Sequence, residues 1–150
     1  MSIFNGMNIS ASALTTQRLR MDVVSSNIAN ASTTRATVNE NGEFEPYRRK
    51  MVQIESTDRS FRSFLHKASN NTQPNAGVKV SRIVEDEEPF KLVYNPSHPD
   101  ANEEGYVQMP NVDPLKEMVD LMSATRSYEA NITALNASKN MLLKALEIGK

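Results

Sequence analysis

The stretch DPLKEMVDLMSATRSYEANITALNASKNMLLKALEIG, residues 113–149, decides the fold. It carries its own start and stop signals around a run, 115–148, that contains neither Gly nor Pro. Asp113 followed by Pro114 reads as an N-cap and a first helical residue, because the carboxylate accepts an orphan backbone N–H and proline has none to waste. Gly149 supplies the stop, with Lys144 placed to favour the negative end of the helix dipole. The pattern predicts a helix from Leu115 to Ile148, roughly 50 Å long at 1.5 Å per residue.

Its apolar seam can be traced. Met118, Leu121, Thr125, Tyr128, Ile132, Leu135, Lys139, Leu142 and Leu146 recur at alternating spacings of three and four, a stripe that a partner helix would bury. Thr125 and Lys139 interrupt it, as polar residues that set register do. Elsewhere the helix is unusual, since Ser123, Ala124, Ser127, Ala130, Asn131, Thr133, Ala134, Asn136, Ala137 and Ser138 are small or uncharged. A helix facing only water carries more charge than this. The composition therefore predicts protein on more than one side of it.

A second segment without Gly or Pro runs from Met7 to Asn41, with Met7, Leu14, Met21 and Ile28 spaced by seven. Between residues 1 and 34 the only charges are Arg18, Arg20 and Asp22. Ser, Thr and Asn are mediocre helix formers, so this segment needs a partner to be stable. The helix is expected over 7–30, ending where Asn27 and Asn30 are read as caps and Ser32, Thr33 and Thr34 favour local side-chain bonding.

All seven prolines lie between residues 46 and 114. Within that section Val52 and Ile54 alternate with Gln53 and Glu55, Val78 and Val80 flank Lys79, Phe90, Leu92 and Tyr94 alternate with Lys91 and Val93, and Tyr106–Met109 adds a fourth candidate strand. Residues 56–77 read as a loop anchored by Phe61, Phe64 and Leu65, with its tip near Ser69–Asn75. The expected fold is α+β and mainly α: terminal helices, in residues 1–34 and 112–150, paired as an antiparallel coiled coil, with a small β-containing insert over 35–111.

The 150 residues carry a net charge of −1 and no cysteine, which excludes disulfides and thiolate metal sites and gives no general pull toward nucleic acid. No basic n-region precedes an apolar core, and no apolar run approaches a membrane span. His66 and His98 each lack a second ligand at metal spacing. Asp100, Asn102 and Glu104 before Gly105 imitate the start of a calcium loop, but Asn111 stands where the closing Glu belongs and Pro99 and Pro110 exclude flanking helices. Asp86, Glu87 and Glu88 read as a solvated turn before Pro89. No catalytic residue, cofactor, metal, nucleic acid, small-molecule substrate or direct membrane insertion is expected.

The run Val23-Val24-Ser25-Ser26-Asn27-Ile28-Ala29-Asn30 resembles the N-terminal motif of the axial proteins of the bacterial flagellum, the rod, hook and hook-associated proteins. Glu45-Pro46-Tyr47-Arg48-Arg49-Lys50, Asn95-Pro96-Ser97-His98-Pro99-Asp100-Ala101-Asn102, Glu104-Gly105-Tyr106-Val107 and Pro110-Asn111-Val112-Asp113 are similar, in order and spacing, to motifs of that family's proximal-rod branch. So are Glu117-Met118, Ala124-Thr125-Arg126-Ser127-Tyr128-Glu129-Ala130-Asn131 and Lys144-Ala145-Leu146-Glu147-Ile148-Gly149. Thr33-Thr34-Arg35 departs from the Gly and aromatic common in the wider family, a variant typical of the proximal-rod branch. The resemblance spans nearly the whole chain and is weakest over 56–75.

It implies a structural subunit exported unfolded by the flagellar type III apparatus, whose partners are other rod proteins and further copies of itself. The rival expectation is a soluble helical chaperone of that export system. The residues expected to carry assembly are Met7, Leu14, Met21, Asn27, Ile28 and Asn30 on the first helix. On the second they are Leu121, Arg126, Tyr128, Glu129, Ile132, Leu135, Leu142 and Leu146.

Overall fold

The structure, a computed structural model, describes residues 4–39, 42–57, 65 and 77–148. The expected loop anchors Phe61 and Phe64, the tip at 69–75, His66 and the stop at Gly149 lie outside them. The order is α1 (Asn5–Ala29), β1 (Thr37–Val38), β2 (Phe44–Glu45), β3 (Lys50–Ser56), β4 (Val78–Glu85), β5 (Lys91–Tyr94), β6 (Tyr106–Met109) and α2 (Pro114–Ile148). The protein is thus mainly helical, with small two-stranded sheets between its terminal helices.

Local chemistry accounts for the helix ends. Asp113 Oδ1 accepts from Leu115 N at 3.0 Å, the cap expected from the sequence. At the end of α1, Asn30 donates from its side chain to Ser26 O at 2.9 Å and accepts from Thr33 Oγ1 at 3.2 Å. These bonds satisfy groups that a helix terminus leaves open.

The four anticipated strands are present, and β1 and β2 are an addition. They pair antiparallel, Thr37 with Glu45 and Val38 with Phe44, after a turn in which Gly42 adopts φ 82°. Strands of two residues are too short to show an alternating pattern, so periodicity overlooks them. Asn41-Gly42 was the available signal, since such pairs suit hairpin turns. The second hairpin joins β5 to β6, pairing Lys91 with Met109 and Tyr94 with Tyr106. Its connection contains Gly105 at φ 82°, where a Cβ would lie 2.9 Å from Tyr94 Cε2. Both the backbone and the packing therefore require glycine there. Asn102 Oδ1 accepts from Glu104 N and Tyr106 N at 3.1 and 2.8 Å, so the segment resembling a calcium loop is a hydrogen-bonded hairpin turn.

The chain divides into two compact units, the first comprising Met1–Met21, Val52–Arg82 and Ser123–Lys150, the second Asp22–Met51 and Ile83–Met122. Both helices, β3 and β4 contribute to each. In the first unit the buried residues among those described are small or polar: Ser10, Thr16 and Ala124. Gly77 permits a close approach there, since a Cβ would fall 2.6 Å from Ser12 Oγ, and that hydroxyl accepts from Val78 N at 3.2 Å. The second unit holds the apolar core, Val23, Val24, Tyr47, Val107 and Val112.

The covered line along α2 differs from the expected seam. Leu121, Tyr128, Leu135 and Leu142 are half-buried as the heptad requires, but the positions between them are Glu117, Ala124, Asn131 and Ser138. Met118, Ile132, Lys139 and Leu146, assigned to the seam on hydropathy, are exposed. Glu117, Ala124, Asn131 and Ser138 are small or polar, so counting apolar residues does not find them.

Candidate functional site

The second unit is built around a buried polar cluster. Asn27 and Glu117 are almost completely inaccessible, so every polar atom they carry needs a partner. Asn27 donates to Lys50 O at 2.8 Å and to Glu117 Oε2 at 2.9 Å. Its carbonyl oxygen accepts from Lys50 N and from the Tyr47 hydroxyl, each at 3.0 Å. All four hydrogen-bonding positions of the amide are thereby used. Asn27 is not the cap suggested by its place near the helix end. It ties the last turns of α1 to the start of β3 and the first turns of α2.

Arg49 completes the cluster. Its Nε donates to Glu117 Oε1 at 2.6 Å, Nη1 to Asp86 Oδ2 at 3.2 Å, and Nη2 lies 3.6 Å from Asp120 Oδ2. Burial works against its charge, but the bonds to Glu117 and Asp86 outweigh that and hold its pKa above the ordinary value. Asp86 is held below the usual carboxylate range, first by the backbone N–H of Glu88 and then by Arg49. The acidic turn at 86–88 is therefore an anchor, not a merely solvated bend. Asn111 fixes the backbone around it, accepting from Arg49 N at 2.8 Å and donating to Glu88 O at 3.0 Å. Sequence reasoning quoted Arg49 and Glu117 only within motifs; their partners lie 68 positions apart, beyond any local pattern.

A second polar contact fastens the segment after α1. Asp100 accepts from Thr34 Oγ1 at 2.7 Å and from Arg35 Nε at 2.6 Å, with Arg35 Nη2 also in contact. The Arg35 bond, followed by the Thr34 bond, holds Asp100 below its ordinary pKa. Arg35 also lies 5.2 Å from the centre of the Phe44 ring, within the range of a cation–π contact. His98 Nδ1 accepts from Asp100 N at 3.1 Å, a local structural bond. Among the described residues no cluster of acidic residues and histidines has the makings of a metal site, and no helix is long and apolar enough to cross a membrane.

The residues expected to carry assembly fall into three groups. Met7, Leu14, Met21, Ile28, Leu121, Tyr128, Leu135 and Leu142 are half-buried, and Met21 Sδ accepts from Thr125 Oγ1 at 3.5 Å. Asn27 and Asn30 are spent on the contacts above. Ile132, Leu146, Arg126 and Glu129 are exposed, the last two joined by an i,i+3 ion pair of 2.9 Å. At the end of α2, Met141, Leu143, Leu146 and Ile148 are all exposed and point to different sides of the helix at 100° per residue. Between them lies a polar face on which Lys144 and Glu147 form an i,i+3 ion pair of 2.6 Å.

Residues 7–37 match the family described as flagella basal body rod protein, and residues 103–148 the C-terminal family of the flagellar basal body rod FlgEFG proteins. Over its full length and that of the relative, the chain is 64% identical to the flagellar basal-body rod protein FlgC of Bacillus subtilis (strain 168). It is 41% identical to that of Borreliella burgdorferi, covering 99% of this chain and 98% of the relative. The FlgC of Escherichia coli O157:H7 is likewise 41% identical, over all of both chains.

Proposed function

The chain belongs to the FlgC family of flagellar basal-body rod proteins, and from that premise we propose that it is a proximal-rod subunit completed by its neighbours. Its structural role in the rod and its location in the flagellar basal body follow from membership. The proposal concerns how the role is performed. The chain leaves the cytoplasm unfolded through the flagellar type III export apparatus. The second unit then closes on its own core and polar cluster. α1 and α2 pair along their lengths as an antiparallel coiled coil, and other rod proteins and further copies cover what they leave exposed. Disorder before assembly and order after it is a common economy for chains that must bind large surfaces.

One observation carries this reading: α2 buries Ala124 and half-buries Asn131 and Ser138, yet leaves the large apolar side chains of Ile132, Met141, Leu143, Leu146 and Ile148 exposed. A chain that functioned alone would have the reverse arrangement. The test is an immunoblot of purified, detergent-extracted basal bodies beside the cytoplasmic fraction. Enrichment at a few copies per basal body is expected. Confinement to the cytoplasm would overturn the rod reading and favour an export chaperone.

A further inference from the structure

Four side chains of the second unit accept the backbone N–H two residues further on. Asp86 accepts from Glu88 at 3.1 Å, His98 from Asp100 at 3.1 Å, Asn102 from Glu104 at 3.1 Å and Asp113 from Leu115 at 3.0 Å. Such bonds fix tight turns and helix starts, and Asn and Asp are their usual acceptors. Three of the four follow that rule with an oxygen atom, which keeps acceptor capacity even when a carboxyl group takes up a proton. His98 departs from it. Its acceptor is Nδ1, a nitrogen that accepts only while the ring is neutral and becomes a donor once the ring is charged. Imidazole is also the side chain whose charge changes between about pH 5 and 8.

The surroundings offer the charged ring a second partner. Asp100 Oδ2 lies 3.8 Å from His98 Nδ1, beyond hydrogen-bond reach, and accepts from the Thr34 hydroxyl at 2.7 Å. Oδ1 of the same carboxylate is held by Arg35. Among the described residues, Asp100 is the ionisable group facing the ring, and Arg35, from the segment after α1, faces Asp100 in turn. The backbone here is pinned, because His98 N donates to Asn95 O at 3.1 Å and Ala101 N to His98 O at 3.0 Å. The ring itself is 31% exposed, so it exchanges protons with solvent directly.

We propose that His98 is a proton-operated switch in the connection between β5 and β6. When neutral, its Nδ1 holds the N–H of Asp100. When charged by a proton from solvent, it releases that N–H and donates to Asp100 Oδ2, in competition with Thr34. Arg35 stays on Oδ1 in both states. What changes is the fastening of residue 34, where the chain has just left α1, to this connection.

The test is amide exchange, read by nitrogen–proton NMR on the full chain between about pH 8 and 5 and corrected for intrinsic exchange at each pH. Protection of the Asp100 amide should fall by roughly fivefold, the worth of one hydrogen bond, as the His98 ring charges. The amides of Glu104 and Leu115, bonded to oxygen, are the internal controls and should keep theirs. His98→Asn supplies an oxygen acceptor at the same spacing and should keep Asp100 protected throughout. Thr34→Val removes the rival for Oδ2 and should move the loss to higher pH, whereas Asp100→Asn removes the carboxylate and should move it to lower pH. Three results would overturn the switch: constant Asp100 protection across the range, an equal loss in His98→Asn, or a loss shared by Glu104 and Leu115, which marks general unfolding. A loss at the same pH in Thr34→Val and Asp100→Asn as in the native chain would overturn the competition for the carboxylate.

Discussion

The second unit buries Val23, Val24, Tyr47, Val107 and Val112 beside a polar cluster in which both oxygens of Glu117 and all four positions of the Asn27 amide are engaged. The first unit buries Ser10, Thr16 and Ala124, leaves Gln17 Oε1 buried without a partner among the described residues, and exposes the large apolar side chains at the end of α2. Apolar burial and satisfied polar groups are what hold a domain together in water. The second unit possesses both. Among its described residues the first buries no large apolar side chain, the observation on which the proposed completion by neighbouring subunits rests.

The sharpest way to break this comparison is to attack the second unit at its centre. Glu117→Ala leaves the Arg49 guanidinium and the Asn27 amide short of partners, and removing one member of a buried pair costs about 3–5 kcal/mol. Hydrogen exchange should then show lost protection across β5 and β6. Retained protection would mean that the cluster is incidental to the unit's stability.

The complementary variant acts on the first unit. Leu135→Asp puts a charge on the half-buried line of α2, at a cost on the order of several kcal/mol once neighbours enclose it. Basal-body incorporation and motility should disappear, while exchange protection in the second unit stays as in the native chain. A motile strain would show that this face is not an assembly contact.

A smaller effect is expected from Gly105→Ala. A non-glycine residue held at positive φ costs about 1–3 kcal/mol, and the new methyl also meets the Tyr94 ring at 2.9 Å. Thermal unfolding should begin earlier, with the β5–β6 amides affected first. An unchanged transition would show that the turn can relax.

The smallest effect concerns Asp100. Its pKa is lower when folded than when unfolded, chiefly through Arg35. The contact therefore stabilises the fold above the unfolded value of about 3.9 and loses that contribution as pH falls through the folded value. Asp100→Asn should unfold slightly earlier than the native chain at neutral pH, and the two should converge in acid. A constant difference between them at all pH values would remove Arg35–Asp100 from the list of pH-dependent contacts.

The sequence by itself determined what neighbouring residues settle among themselves. Asp113 and Pro114 start α2, Asn30 ends α1, and alternation marks β3 to β6, because capping and periodicity act over a few positions. The motifs also sufficed to identify the family. Only the tertiary structure decided the use of those parts. Asn27, readable as a cap, bonds to Lys50 23 positions away and to Glu117 90 positions away. Arg49, one of three adjacent basic residues, lies against three carboxylates. Along α2 the covered positions went to Ala124, Asn131 and Ser138 instead of Met118, Ile132 and Leu146. Hydropathy says how much a side chain gains by leaving water, whereas close packing decides which side chains fit where neighbouring backbone approaches.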